Sequence, residues 1–307
     1  MVVSKEKSPV VIVNRALCSL LLGAVCLDAF AELRPIADED LSQYSGQAAI
    51  AFDVSDFGTN SYTRVTLGME ADLQMNIETL EAGNIARAGE SLAADIDITN
   101  LGFGSISTND TEIQLDGNTY AVNEIIPFEL NDPFFEIAQN SSDELTGFRI
   151  GFGQARGQLT GDFNSISGNV GMEITDFFGD DYQSTLLDVN GDADNTRTQY
   201  FGVSKAEAGG VTNCNSGFYC YNLSDFKTLD VGERNKTTGD VDYTNDFFIS
   251  FQKEATDWTT STGSVSAGLG VFINIPTSMN IDMNTGTNAS GTDRLRTEYI
   301  DRGNGLF

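Results

Sequence analysis

Over residues 64–79 every second residue is apolar: Val65, Leu67, Met69, Ala71, Leu73, Met75 and Ile77 alternate with Thr66, Gly68, Glu70, Asp72, Gln74, Asn76 and Glu78. Side chains of an extended chain point alternately to opposite faces, so this spacing predicts one long strand with a dry face and gives a helix no apolar stripe. A second run, Val265, Ala267, Leu269, Val271, Ile273 and Ile275, continued by Met279, Ile281 and Met283, predicts another. Shorter alternations occur at Ile96-Ile98, Ile113-Leu115, Phe148-Ile150-Phe152, Val170-Met172-Ile174 and Phe247-Ile249-Phe251, punctuated by Gly, Asn, Asp and Ser. The expected fold class is therefore all-β: a large antiparallel sheet system, sandwich or roll, with long dry faces packed sheet on sheet.

The first 31 residues read differently. Lys5, Lys7 and Arg15 precede an apolar run over 16–27, and Ala29-Phe30-Ala31 supplies a small-x-small cleavage pattern, so a signal peptide over 1–31 is expected, cut after Ala31. The apolar run is shorter than the roughly 20 residues that span hydrocarbon, and Asp28 closes it. Gly23-Ala24-Val25 before Cys26 is a poor lipid-attachment motif. Next, Pro35, then Asp38, Glu39 and Asp40, with Gly46 as a stop, predict a short N-terminal helix over 32–47. The β-rich domain is expected over 48–307, with a loop-rich insertion at about 179–239 where polar turns interrupt the strand rhythm.

Charge and reactive groups narrow the function. Removing the signal takes three basic and two acidic residues from the chain's 17 and 45, leaving 14 and 43. Such a surface lacks the basic footprint that nucleic acid requires, and it repels anionic membrane, so membrane contact is expected only through the signal peptide. The chain has no histidine. That removes the usual general base, the Ser-His-Asp and Cys-His nucleophile systems and the commonest zinc ligand, so a non-enzyme is expected. Paired carboxylates could serve a glycosidase, but the many Asp and Glu single out no pair. Gly151-Phe152-Gly153-Gln154-Ala155-Arg156-Gly157 has the wrong spacing for a dinucleotide loop and no following helix. Cys18 and Cys26 leave with the signal, so Cys214 and Cys220 are expected to form one local disulfide in an oxidising compartment.

The sharpest local motif is Asp188-Val189-Asn190-Gly191-Asp192-Ala193-Asp194, which sets the oxygen side chains of Asp188, Asn190, Asp192 and Asp194 at alternate positions of a turn. Hard cations want this oxygen density, and the motif resembles the calcium loops of dockerins and EF-hands. Ala193 stands where the sharp turn wants glycine, and Gln199 where a carboxylate should close the site. No cofactor is required; calcium is the candidate cation, against a solvated Asp-rich turn. The long alternations and the terminal Phe307 also suggest an outer-membrane β-barrel, but two convincing segments fall short of the dozen a barrel of this length needs, and Gly303-Asn304-Gly305-Leu306 is a poor closing strand.

Three stretches carry a family resemblance: Leu33-Arg34-Pro35-Ile36-Ala37-Asp38-Glu39-Asp40-Leu41-Ser42 leading to Gly46-Gln47-Ala48; Asn131-Asp132-Pro133-Phe134-Phe135-Glu136-Ile137 with Gly147-Phe148-Arg149-Ile150-Gly151-Phe152; and Arg296-Thr297-Glu298-Tyr299-Ile300-Asp301-Arg302-Gly303-Asn304-Gly305-Leu306-Phe307. Together the chain resembles the FilA-like pilus-system proteins of gammaproteobacteria. The resemblance implies an exported protein of the cell surface, linked to a fimbrial system, whose partners are other pilus or surface proteins or further copies of itself. It implies no active site. The competing expectation is a secreted calcium-dependent or carbohydrate-binding protein, with Trp258, Asp257 and neighbouring aromatics as a sugar platform.

Overall fold

The computed structural model describes residues 50–86, 92 and 94–298. Ala29, Ala31 and the helix expected over 32–47 lie outside the described residues. Within them the chain is nearly all β, as its two-residue period predicts. In chain order the strands are β1 (Ile50–Phe57), β2 (Asn60–Leu67), β3 (Glu70–Leu73), β4 (Met75–Ala82), β5 (Ile96–Phe103), β6 (Ser105–Ile106), β7 (Ile125–Ile126), β8 (Phe128–Gln139), β9 (Leu145–Ile166) and β10 (Gly168–Thr175). They continue as β11 (Asp181–Gln183), β12 (Thr185–Leu187), β13 (Tyr200–Gly202), β14 (Cys220–Asn222), β15 (Thr228–Val231), β16 (Glu233–Arg234), β17 (Val241–Asp242), β18 (Phe248–Gln252), β19 (Thr256–Thr260), β20 (Gly263–Ala267) and β21 (Gly270–Asp282).

Twelve of these strands form one sheet along the path β1-β2-β8-β9-β15-β21-β10-β11, with β18 also joining β9 to β21, β3 on β8, and β5 carrying β4 on β9. Its pairings are antiparallel apart from the parallel pair β10 and β21. The 22-residue β9 is the axis. Its first half lies between β8 and β18, its second between β5 and β15. Gly151 permits the first of these contacts, because a Cβ there would lie 2.5 Å from the Phe134 ring. The glycine-rich run that begins there is extended strand. The path has two ends, β1 and β11, so among the described residues the sheet does not close on itself.

The main core gathers Ile96 and Ile98 of β5, Phe163 of β9, Met172 of β10, Leu229 of β15 and Ile275 of β21 around Phe128, Phe201 and Phe226. Each such side chain stabilises the fold by about 1.5–3 kcal/mol relative to its exposed state. A smaller cluster, Tyr62, Ala138, Phe248, Trp258, Ala267 and Phe272, sits beneath the β19-β20 hairpin.

Four expectations need correction. The alternation over 64–79 is three strands, broken at Gly68-Met69 and at Gln74: β2 and β3 both pair with β8, whereas β4 crosses to β5. Leu67, Met69 and Met75 are exposed, so the run has no continuous dry face. In the second long run Leu269 is exposed in the turn between β20 and β21, and only the part from Val271 onward enters the main core. Ile113 is exposed and makes a single bridge to Thr119. Side chains of Asn109 and Asp116 hold the turns there by accepting backbone N–H groups two residues on. Finally, residues 179–239 are part of the fold: they contribute Leu186, Phe201, Val203 and Phe226 to the core and β15 to the centre of the sheet. Their polar residues mark turns capped from within, as Asn213 and Asn235 show by accepting N–H groups of Asn215 and Thr237.

Asp230 on β15 gives the sheet a pH dependence. The residue is half-buried, but desolvation pushes its carboxyl up to about 6 from 3.8, against an opposing hydrogen bond from Gln158. The folded state thus favours the protonated form, so its contribution to stability is full below pH 3.8 and is lost as pH rises through about 6. Relative to Asp230→Asn, the wild-type Tm is expected to fall across that interval. Parallel Tm curves for the two proteins would remove the assignment.

Candidate functional site

The turn after β12 carries Asp188, Asn190, Asp192 and Asp194. Asp188 Oδ1 accepts the backbone N–H groups of Asn190 (2.8 Å) and Asp192 (2.9 Å), and Oδ2 accepts Asn190 Nδ2 (2.9 Å). Burial pushes the Asp188 carboxyl up, but these donors outweigh it and hold the group below its ordinary value. Asp194 Oδ1 accepts the N–H of Thr196, and Gln199 donates to the Asn164 carbonyl. Two carboxylates of the motif are therefore engaged with backbone. Among the described residues no three Asp, Glu, His or Cys side chains gather at metal-binding spacing. Asx turns and calcium loops share a sequence signature, because each needs oxygens at alternate positions.

Cys214 and Cys220 are joined by a disulfide, with their Cα atoms 5.0 Å apart. Cys220, which is buried, begins β14, and β14 pairs with β13, so the bond ties an exposed turn to the buried start of a strand. A loop this short gains about 2 kcal/mol from the constraint on the unfolded chain. The Cys214→Ser/Cys220→Ser protein is expected to lose that much in urea unfolding and keep its β-rich circular dichroism; an unchanged midpoint would count against it.

Trp258 is not a surface platform. It is fully buried, edge-on to Tyr62 at 5.7 Å between ring centroids, and Tyr62 donates its hydroxyl to the Asp257 carbonyl. The Arg149 guanidinium lies 5.1 Å from its ring. Trp258 belongs to the packing of the smaller cluster, whereas Asp257 is exposed and meets it only through its backbone carbonyl.

Among the described residues, one apolar sheet face is left partly open. Register places Phe52 of β1, Val65 of β2, Phe135 of β8, Ile150 of β9, Ile249 of β18 and Ile273 of β21 in one row across six strands. The adjoining row is Val54, Thr63, Ile137, Phe148, Phe251 and Val271, in which the Phe148 and Phe251 rings stack at 4.8 Å. Exposure along the first row is 75% at Phe52, 40% at Phe135, 41% at Ile150 and 8% at Ile273, so the core covers one end and leaves the other open. The opposite face carries the buried ion pair Arg149–Glu136, together with Ser250 and Gln252. Here the polarity of the strands is inverted: alternation identifies the two faces, but the apolar parity of β9 and β18 is the half-exposed one.

This surface is missed when apolar parity is equated with the core. Its signals are Ile50, Phe52 and Val54, alternating with Ala51, Asp53 and Ser55 on β1, and an arginine inside the Phe148-Ile150-Phe152 alternation. A cleft of about 280 Å³ on the molecule is lined by Asn169, Glu173, Lys236 and Asn274, and its Lys236 is paired with Glu173 and Asp181. Compared with family models, curated proteins and solved structures, the chain matches none.

Proposed function

We propose that the protein is an exported, non-enzymatic structural or adhesive component of a cell-surface or pilus system, acting through its β-sheet surface. The observation that carries this reading is the open apolar face of β1, β2, β8 and β9, since a contiguous apolar patch above a few hundred Å² marks an interaction site. Three features support it. A disulfide suits an oxidising compartment. The strongly acidic composition keeps such a chain soluble until it finds a partner. The two halves of the central FilA-like stretch are β8 and β9 segments in register, Phe134 opposite Gly151 and Glu136 opposite Arg149, and they carry the middle of that face.

Mechanical shearing of the producing cells, followed by immunodetection, tests the reading. The protein is expected in the sheared surface fraction together with fimbrial material; recovery only as a free periplasmic species would sink it. The oxygen-dense turn over 188–194 supports a second reading, calcium-dependent binding, in which calcium displaces the Asn190 and backbone donors from Asp188. Calorimetric titration of the folded protein decides that point, and no heat at millimolar calcium removes it.

A further inference from the structure

We infer that β1 is a self-pairing edge: two copies of the chain join β1 to β1 antiparallel about a two-fold axis at Phe52, making one continuous sheet. This rests on the reading of the protein as an assembly component and names its partner, a second copy.

The exposure pattern identifies what is missing. Phe135 and Ile150, with strands on both sides, sit near 40%, whereas Phe52, Val54 and Ile50 stand at 75%, 69% and 51%. What β1 lacks relative to its neighbours, among the described residues, is a lateral strand. Natural edges are protected by charged side chains, lysine above all, by proline, bulges or short length, and of these β1 carries only Asp53 and Asp56. β1 has eight residues, no Lys or Pro, and an unbroken register with β2. Its hairpin closes through Gly58 and Thr59 on the pair Phe57 and Asn60, with Gly58 at φ +63 as a II′ turn requires. That closure sets the ladder parity, so Ile50, Phe52, Val54 and Asp56 direct their N–H and C=O groups away from β2, into a row that can pair with another strand.

The sequence of the edge selects its own copy. With Phe52 opposite Phe52 of the second copy, Ile50 faces Val54, and Ala51 faces Asp53. Aromatic meets aromatic, aliphatic meets aliphatic, and no carboxylate opposes another. Sliding by one pair sets Asp53 against Asp53 at the closest cross-strand separation, and by a second pair Phe52 against Asp56; sliding the other way leaves Asp53 and Val54 without a partner residue in β1. Opposing the pairing is a formal charge of -28 per chain. Because salt screens that repulsion, the dimer tightens as salt rises.

Sedimentation of the purified protein is expected to show a monomer–dimer equilibrium whose dissociation constant falls roughly threefold between about 50 mM and about 500 mM salt. Val54→Lys, at a solvent-facing position, is expected to weaken it at least about tenfold with an unchanged urea midpoint. For register, Ala51→Cys and Asp53→Cys chains are oxidised separately and mixed. These positions form a non-hydrogen-bonded pair with Cα atoms about 4.5 Å apart, within disulfide reach. Cross-linked dimer is expected only from the mixture. A monomer at all concentrations, open-ended oligomers, or cross-linking of Asp53→Cys alone would each overturn the proposal. Recovery in the sheared surface fraction is independent of these outcomes, so the self-pairing can fail while the assembly reading stands.

Discussion

Replacing Arg149 with methionine is expected to destabilise the protein by about 3–5 kcal/mol, because it leaves the buried Glu136 carboxylate with only the partly exposed Arg64 as a cationic partner. Arg149 and Glu136 are both almost fully buried, with Arg149 Nε on Glu136 Oε2. The guanidinium also donates to the Thr259 carbonyl at 2.9 Å and lies over Phe248 at 4.9 Å, while Glu136 accepts Arg64 Nε at 2.8 Å. Burial pulls the Arg149 pKa below its ordinary value, and Glu136 pulls it back up. The pair therefore persists because each member neutralises the other in a place where neither can be solvated. Adding Glu136→Gln to Arg149→Met should restore part of the loss, since the buried carboxylate that has lost its closer partner is then gone. Urea unfolding followed through Trp258, the only tryptophan, measures both proteins. A single-mutant loss below about 1 kcal/mol would mean that water reaches the pair.

The second large effect is expected at Asp95. Its side chain is completely buried, with Oδ1 accepting Arg197 Nε and Oδ2 accepting the Val271 N–H, both at 2.9 Å. Arg197 in turn donates to the carbonyls of Leu92, Gly83 and Ile85. One carboxylate thus ties the approach to β5, the loop before β13 and the first turn of β21. Asp95→Ala leaves the guanidinium and a strand N–H without their shared acceptor, and a loss of about 3–5 kcal/mol is expected. Limited proteolysis adds a local readout: cleavage near residues 83–86 should accelerate before global unfolding does. Wild-type cleavage rates in Asp95→Ala would refute the coupling between these segments.

Both positions show where the sequence is legible and where it is not. Period-two alternation is a local property of the strand, so it finds β5, β9, β10 and β21 directly. It cannot say which parity faces the core, because that depends on strands far away in the chain. Arg149 reads as a solvent-facing residue between Phe148 and Ile150, and it is inside because Glu136 and Trp258 approach from elsewhere. The cysteine spacing was decisive because a six-residue separation leaves few geometries. The Asp188 motif was ambiguous for a chemical reason: the oxygens that hold a cation are equally good acceptors for the turn's own amides. Residues 179–239 look loose because turn residues dominate their composition, yet the sparse Phe201, Val203, Phe226 and Leu229 are enough to anchor them.

The place of β9 at the centre of the sheet also governs how the chain can acquire its structure. Its early neighbours, β5 and β8, precede it, but β15 and β18 begin about 80 and 100 residues after β9 starts, and β10 waits as long for β21. At about 5–20 residues per second, a ribosome takes several seconds or more to deliver those strands. For that interval β9 and β10 each have one unsatisfied flank. Pairings so distant in sequence are slow to form even when all the chain is present. A chain with this topology benefits from being kept unfolded until it is whole, and its folding is expected to depend on the last quarter of the sequence.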